Sequence, residues 1–119
     1  MADPKRVQRV AEQMKKDIAD IVDNELKDPR IGMASITQVQ LSRDLRHARV
    51  CVSVFGDARA RQDTMAALSG AIGYIRREVG QRLGLRFAPE IVFHLDSSLE
   101  EGARVLELIN REMEKGDSL

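Results

Sequence analysis

The side chains with most chemical potential in this sequence are arginines spaced around glycines. From Gly73 to Arg86 the chain reads Gly-Tyr-Ile-Arg-Arg-Glu-Val-Gly-Gln-Arg-Leu-Gly-Leu-Arg. On a helix turning about 100° per residue, Gly73 and Gly80 share one face, Arg76 and Arg77 flank it, and Arg82 and Arg86 lie further around the end. A glycine face leaves the backbone bare, so a phosphate chain can approach it, and guanidinium offers forked donors to phosphate oxygens. The same letters also suit glycines packed against a neighbouring helix with the arginines in solvent. A second basic group is Arg43, Arg46 and Arg49. A third is Lys5, Arg6, Arg9 and Lys16, competing with Asp17 and Asp20 on neighbouring turns.

Covalent or hydrolytic chemistry needs a nucleophile with a base, carboxylates paired in a cleft, or a metal cluster. The candidates are His47, His94 and Cys51. No motif surrounds either histidine, and a Cys51–His94 pair has no third group in sequence to orient the base. One cysteine forms no internal disulfide, and two histidines with one cysteine do not complete a structural zinc site. Gly70-Ala71-Ile72-Gly73 lacks the lysine and hydroxyl of a nucleotide-cradling loop. The expectation is a protein without catalysis, metal or cofactor.

The 119 residues are 43% hydrophobic, enough for one core and too short for two ordinary domains. Lys+Arg and Asp+Glu both number 19. Residues 1–86 carry 16 basic and 11 acidic side chains and residues 87–119 carry 3 and 8, giving a basic body and an acidic end. No apolar run approaches the roughly 18 residues of a membrane span, and the first residues lack the apolar stretch of a secretory signal. A cytoplasmic monomer away from membranes is expected. With no Trp, one Tyr and three Phe, base stacking on aromatic platforms is not expected.

Val7, Val10, Ala11, Met14, Ile18, Ile21, Val22 and Leu26 recur at helical spacing, predicting one long helix from an Asp3 cap to Asp28-Pro29. Period-two alternation then predicts two strands joined as an antiparallel hairpin through 42–47. The first has Thr37, Val39 and Leu41 on one side and Ile36, Gln38 and Gln40 on the other. The second turns Ala48, Val50, Val52 and Val54 to one face. Helical spacing resumes from Met65 to Leu83, and Gly70 and Gly73 argue for two helices meeting at a kink, with Gly84 as the C-cap. A third strand over 90–95 puts Ile91, Phe93 and Leu95 inward. Ser98 with Glu101 resembles a capping box opening a last helix through Leu106 and Ile109. This places a domain over 1–112 and a flexible acidic end over 113–119.

The order α-β-β-α-α-β, plus a short C-terminal helix, is that of an α+β type II KH-like domain, its three-stranded sheet covered by helices on one face. In ordinary KH modules a GxxG loop between the middle helices clamps the nucleic-acid backbone. Here Ala71 and Ile72 supply neither donor nor cation and Ile72 falls on the apolar stripe, so a packed kink fits better.

Three stretches resemble signatures of the bacterial ribosome-binding factor A family: Glu25 to Ile31, Leu41 to Val50, and Pro89 to Phe93 followed by Leu99-Glu100-Glu101-Gly102. The Ala71-Ile72-Gly73 kink is similar to the one that replaces the GxxG loop there. The resemblance implies a factor that binds free 30S ribosomal subunits and precursor 16S rRNA near its 5′-terminal helix and aids late maturation, above all in the cold. Whether an assembly GTPase is a further partner stays open. The rival reading is a protein-interaction adaptor that docks a partner through its acidic C-terminal helix.

Overall fold

In the computed structural model, residues 3–96 are described. The last helix expected from Ser98 and the acidic end lie outside them. The elements are α1 (Pro4–Asp20) running into a π-helical turn (Ile21–Glu25), β1 (Met33–Leu41), β2 (His47–Phe55), α2 (Ala58–Gly70), α3 (Ile72–Leu83) and β3 (Glu90–Leu95). This is the type II KH-like order that the sequence predicts.

Alternation of β-branched residues makes β2 the centre of the sheet. Val50 and Val52 are fully buried and Ala48 and Val54 nearly so, on the face that the helices cover. β1 pairs antiparallel with β2, and β3 pairs parallel on its other side. The sequence-based assignment of faces in β1 needs correction. Ile36 pairs with Val52 and Gln38 with Cys51, so Thr37 is an extra residue in a bulge. The bulge shifts the phase by one, and Ile36 and Val39 are therefore both buried despite opposite parity. Thr37 Oγ1 donates to the Asp96 carboxylate at 2.8 Å and also lies 3.2 Å from the Cys51 carbonyl, tying β1 to the end of β3. In β3, Ile91 and Phe93 are buried as expected, but Leu95 at the strand's end is 39% exposed.

Asp3 caps α1 by accepting from the Lys5 amide at 3.1 Å, with Pro4 in the first turn. Its buried stripe is Ala11, Met14 and Ile18, continued by Ile21 and Val22. The helix stops short of the expected Asp28: α geometry ends at Asp20, and the π turn closes with the Leu26 amide donating to the Ile21 carbonyl at 3.0 Å. A π turn stacks residues five apart, which an α-helix does not. Fully buried Leu68 of α2 and Ile75 and Val79 of α3 meet Met14, Ile18 and the β2 valines in one core. Each such side chain contributes about 1.5 to 3 kcal/mol by leaving water.

The segment between the π turn and β1 is held by its own polar groups. The Asp28 carboxylate accepts from the Arg30 backbone amide at 2.9 Å and from its guanidinium at 2.7 Å. The Arg30 guanidinium and amide together hold the Asp28 carboxyl below the usual carboxylate range. Thr64 of α2 is fully buried. Its Oγ1 accepts from the Gly32 amide at 3.2 Å and donates to the Arg30 carbonyl at 3.3 Å. The Asp28-Pro29-Arg30-Ile31 stretch is thus a structural joint locked onto α2. Thr64→Val keeps the shape but leaves both backbone groups without this partner, so chemical denaturation should show a loss of about 1 to 3 kcal/mol. Thr64→Ser should lose less.

Candidate nucleic-acid interface

Ala71 alone separates α2 from α3, with φ −96° and ψ 4°, and its amide turns back to the Ala67 and Leu68 carbonyls. The Ala71-Ile72-Gly73 kink is a packed joint: Ala71 and Ile72 are half-buried against the core, and Gly73 faces open space. The left-handed Gly84, φ +61°, ends α3, as its type and place predict.

Gly73, Arg76, Arg77, Gly80, Gln81 and Gly84 line an open groove along α3 of about 590 Å³, with Leu85 and Ala88 as its other wall. The glycine face and its flanking arginines therefore do come together. Gly80 packs beside the loop before β3 rather than against a neighbouring helix. A β-carbon there would meet Ala88 at 3.5 Å, an ordinary contact, and the residue still lines the groove.

The arginines divide by role. Arg76 Nε donates to the Pro89 carbonyl at 2.8 Å, so this side chain also holds the loop before β3. Arg77 is exposed and has no polar partner among the described residues. Arg82 is bound elsewhere: Nη1 donates to Asp20 Oδ2 at 2.8 Å and Nη2 to Glu25 Oε2 at 3.0 Å. Asp20 and Glu25 lie five apart, and the widened turn lets both reach one guanidinium. Arg82, expected among the phosphate contacts, clamps α3 to α1, and both bonded nitrogens are already occupied.

A second concavity of about 270 Å³ continues the groove, sharing Gly84 and Leu85 with it. Its further lining is Arg6 of α1, Asp44, Leu45 and Arg46 of the hairpin, and Arg86 and Phe87. Members of all three basic groups found in the sequence meet here. Phe87 is 52% exposed, and the guanidinium carbons of Arg46 and Arg86 lie 4.6 and 5.5 Å from its ring centroid. The sequence reading expected no aromatic platform and missed this residue. The one available signal was a phenylalanine between Arg86 and Ala88-Pro89, outside any periodic element. The hairpin turn is closed by its own polar groups: Asp44 accepts from Ser42 Oγ at 2.6 Å and from the Arg46 amide at 3.0 Å. Those two bonds, the Ser42 hydroxyl foremost, hold the Asp44 carboxyl below its ordinary range. Leu45 takes a left-handed φ of +63°, a conformation costly for a branched side chain.

Arg43 and Arg49 are exposed, Arg49 on the uncovered face of the sheet. Arg9 and Lys16 line a separate shallow depression on α1 with Lys5, Asp3 and Glu12. His47 opens β2 and does not lie in the turn, with its Nδ1 3.4 Å from Glu90 Oε2. The parallel register sets Cys51 beside His94 on the uncovered face, where no hydrogen bond joins them among the described residues. No group of three or more His, Cys, Asp or Glu among those residues is placed to hold a metal, and no helix there is long and apolar enough to cross a membrane.

A kinked helix pair crossing from β2 to a parallel β3 defines a KH-like module. The family model for ribosome-binding factor A matches residues 6–109, and the chain belongs to that family. It is 50% identical over 113 residues to the ribosome-binding factor A of Halothermothrix orenii, covering 95% of this chain and 93% of that one. It is 52% identical over 109 residues to that of Caldicellulosiruptor saccharolyticus, covering 89% and 81%. Among solved structures it resembles the solution structure of a Thermotoga maritima protein described as a putative ribosome binding factor A (TM-score 0.68, 31% identity, 79% of this chain and 90% of that one). It also resembles a Thermus thermophilus ribosome binding factor A model fitted into a cryo-EM map of a 30S complex (TM-score 0.62, 25% identity, 73% and 91%).

The Arg82 clamp sets a pH dependence. Asp20 is held below its ordinary 3.8 first by the hydrogen bond from Arg82 and then by that from Asn24. A depressed carboxyl stabilises the fold above its unfolded value and loses that contribution as pH falls through the folded one. Arg82→Gln should therefore lower the melting temperature at pH 7, and the difference from the parent should shrink as pH drops below about 3.8.

Proposed function

We propose that this protein is a non-catalytic assembly factor that binds precursor 16S rRNA on the free 30S subunit, near the 5′-terminal helix, and assists late maturation. The observation that carries the reading is the continuous groove from Gly73 to Phe87. It has bare helix backbone on one side and Arg6, Arg46, Arg77 and Arg86 along its course. Family membership and the neighbour fitted into a 30S complex support the choice of RNA. Binding is by shape and phosphate contact: backbone and guanidinium read the sugar-phosphate chain, which carries no sequence. A factor that holds one RNA arrangement shifts populations only through differential affinity. Misfolded RNA escapes more slowly on cooling, so the factor is needed most in the cold.

Arg6→Glu, Arg46→Glu, Arg77→Glu and Arg86→Glu together replace exposed cations and spare the Arg82 clamp. This variant should fold, bind immature small subunits weakly, and show a salt dependence of log K shallower by about 3 in slope, at roughly 0.7 to 0.9 for each phosphate that is no longer neutralised. Unchanged binding and slope in the folded variant would remove the reading.

Glycine substitution separates stability from binding. Gly80→Ala fits at ordinary contact distance from Ala88 and should stabilise α3 by about 0.5 to 1 kcal/mol. If RNA backbone runs over that face, the same variant binds less tightly while melting higher. In cells, deletion should slow growth more at low temperature and accumulate free small subunits with unprocessed RNA ends. Cys51→Ala with His94→Ala should rescue that defect and the four-arginine variant should not.

A further inference from the structure

The concavity at the end of the groove carries features that backbone binding does not require. An exposed phenylalanine alone is unremarkable on a protein surface. Here, however, two guanidiniums from separate parts of the chain converge on the Phe87 ring, Arg46 from the hairpin and Arg86 from the loop after α3. Arg6 lines the same concavity. None of the three forms an ion pair among the described residues. The one carboxylate present, Asp44, is occupied by the Ser42 hydroxyl and the Arg46 amide. Three cations around one carboxylate leave the concavity with an excess of positive charge, and an anion seated among them is attracted by it. The volume, about 270 Å³, falls just below the roughly 300 Å³ at which small-molecule pockets begin, room for one flat group and not for a whole folded ligand.

We propose that Phe87 with Arg46, Arg86 and Arg6 forms a seat for one unpaired nucleotide of the bound RNA. The inference rests on the RNA reading above and adds a single-stranded element to it. The base stacks on the half-exposed phenyl ring, and the phosphates on either side take the guanidinium N–H groups. Phe87 also positions the cations. An arginine held against a ring by cation–π attraction loses less rotamer freedom when it meets a phosphate. Stacking on an aromatic is tolerant of base identity, because every base has a π face, so the seat selects unpaired nucleotides over duplex without selecting a sequence. A duplex end follows the α3 groove, and the first nucleotide to leave the helix reaches Phe87.

The test uses the full chain and two RNA probes, a precursor small-subunit fragment containing the 5′-terminal helix with adjoining unpaired nucleotides and the same helix made blunt. Phe87→Ala, Phe87→Leu and Phe87→Trp all keep the net charge, and a ring 52% exposed makes them tolerable to the fold. Phe87→Ala should weaken binding of the tailed RNA about tenfold and leave the blunt RNA unchanged, Phe87→Trp should bind like the parent, and Phe87→Leu should not. With 2-aminopurine at the first unpaired position, fluorescence should be quenched on binding the parent and not on binding Phe87→Ala. Equal affinity of parent and Phe87→Ala for the tailed RNA would overturn the seat while leaving the groove reading in place, as would rescue by leucine as complete as that by tryptophan. Failure of the parent to bind either RNA would overturn the groove reading itself.

Discussion

The surface at the end of α3 depends on one hydrogen-bonded junction, where β3 enters the sheet parallel to β2. The Glu90 amide donates to the Arg46 carbonyl at 2.7 Å, and from there His47 pairs with Glu90, Ala48 with Ile91 and Val50 with Phe93. Burial of Ile91 and Phe93 over the helices fixes that register, because a slip of one residue would turn both to solvent. Once β3 must begin beside Arg46, the short loop from Gly84 to Pro89 has no choice of destination. It lands against the hairpin turn, bringing Arg86 and Phe87 to Arg46.

The helices are fixed to the same frame by polar joints at their ends. Arg82 bridges Asp20 and Glu25, Arg76 grips the Pro89 carbonyl, and Thr64 buttons α2 to the strand entry. Of these joints, the one from Arg76 ties α3 to the loop before β3 along the groove. The chemistry divides cleanly. Arg82, Arg76 and Arg30 meet carboxylates or carbonyls that hold elements together, whereas Arg46 and Arg86 lie over the Phe87 ring.

Much of this was legible in the sequence, because periodicity reports burial directly. The valines of β2, the stripe of α1, the break at Ala71 and the Gly84 cap follow from spacing and residue type. The features that escaped are those set by long-range pairing. Nothing local marks Thr37 as the bulge residue. The π turn after Asp20 is favoured by what it delivers to Arg82, 57 residues beyond Glu25. Arg82 and Arg77 look equivalent in sequence, and only the position of α1 makes one a clamp. The low aromatic count gave no reason to single out Phe87, and only the β2–β3 register brings Arg46 to its ring.

The most direct test of the account is where RNA touches the protein. Backbone amide shifts of the labelled full chain, titrated with a precursor small-subunit fragment containing the 5′-terminal helix, map that contact residue by residue. The account predicts that the perturbed amides cluster along Gly73 to Gly84, at Leu85 to Phe87, at Asp44 to Arg46 and at Arg6, with the uncovered sheet face unmoved. Perturbations centred instead on Arg49, Cys51, Val92 and His94 would contradict it.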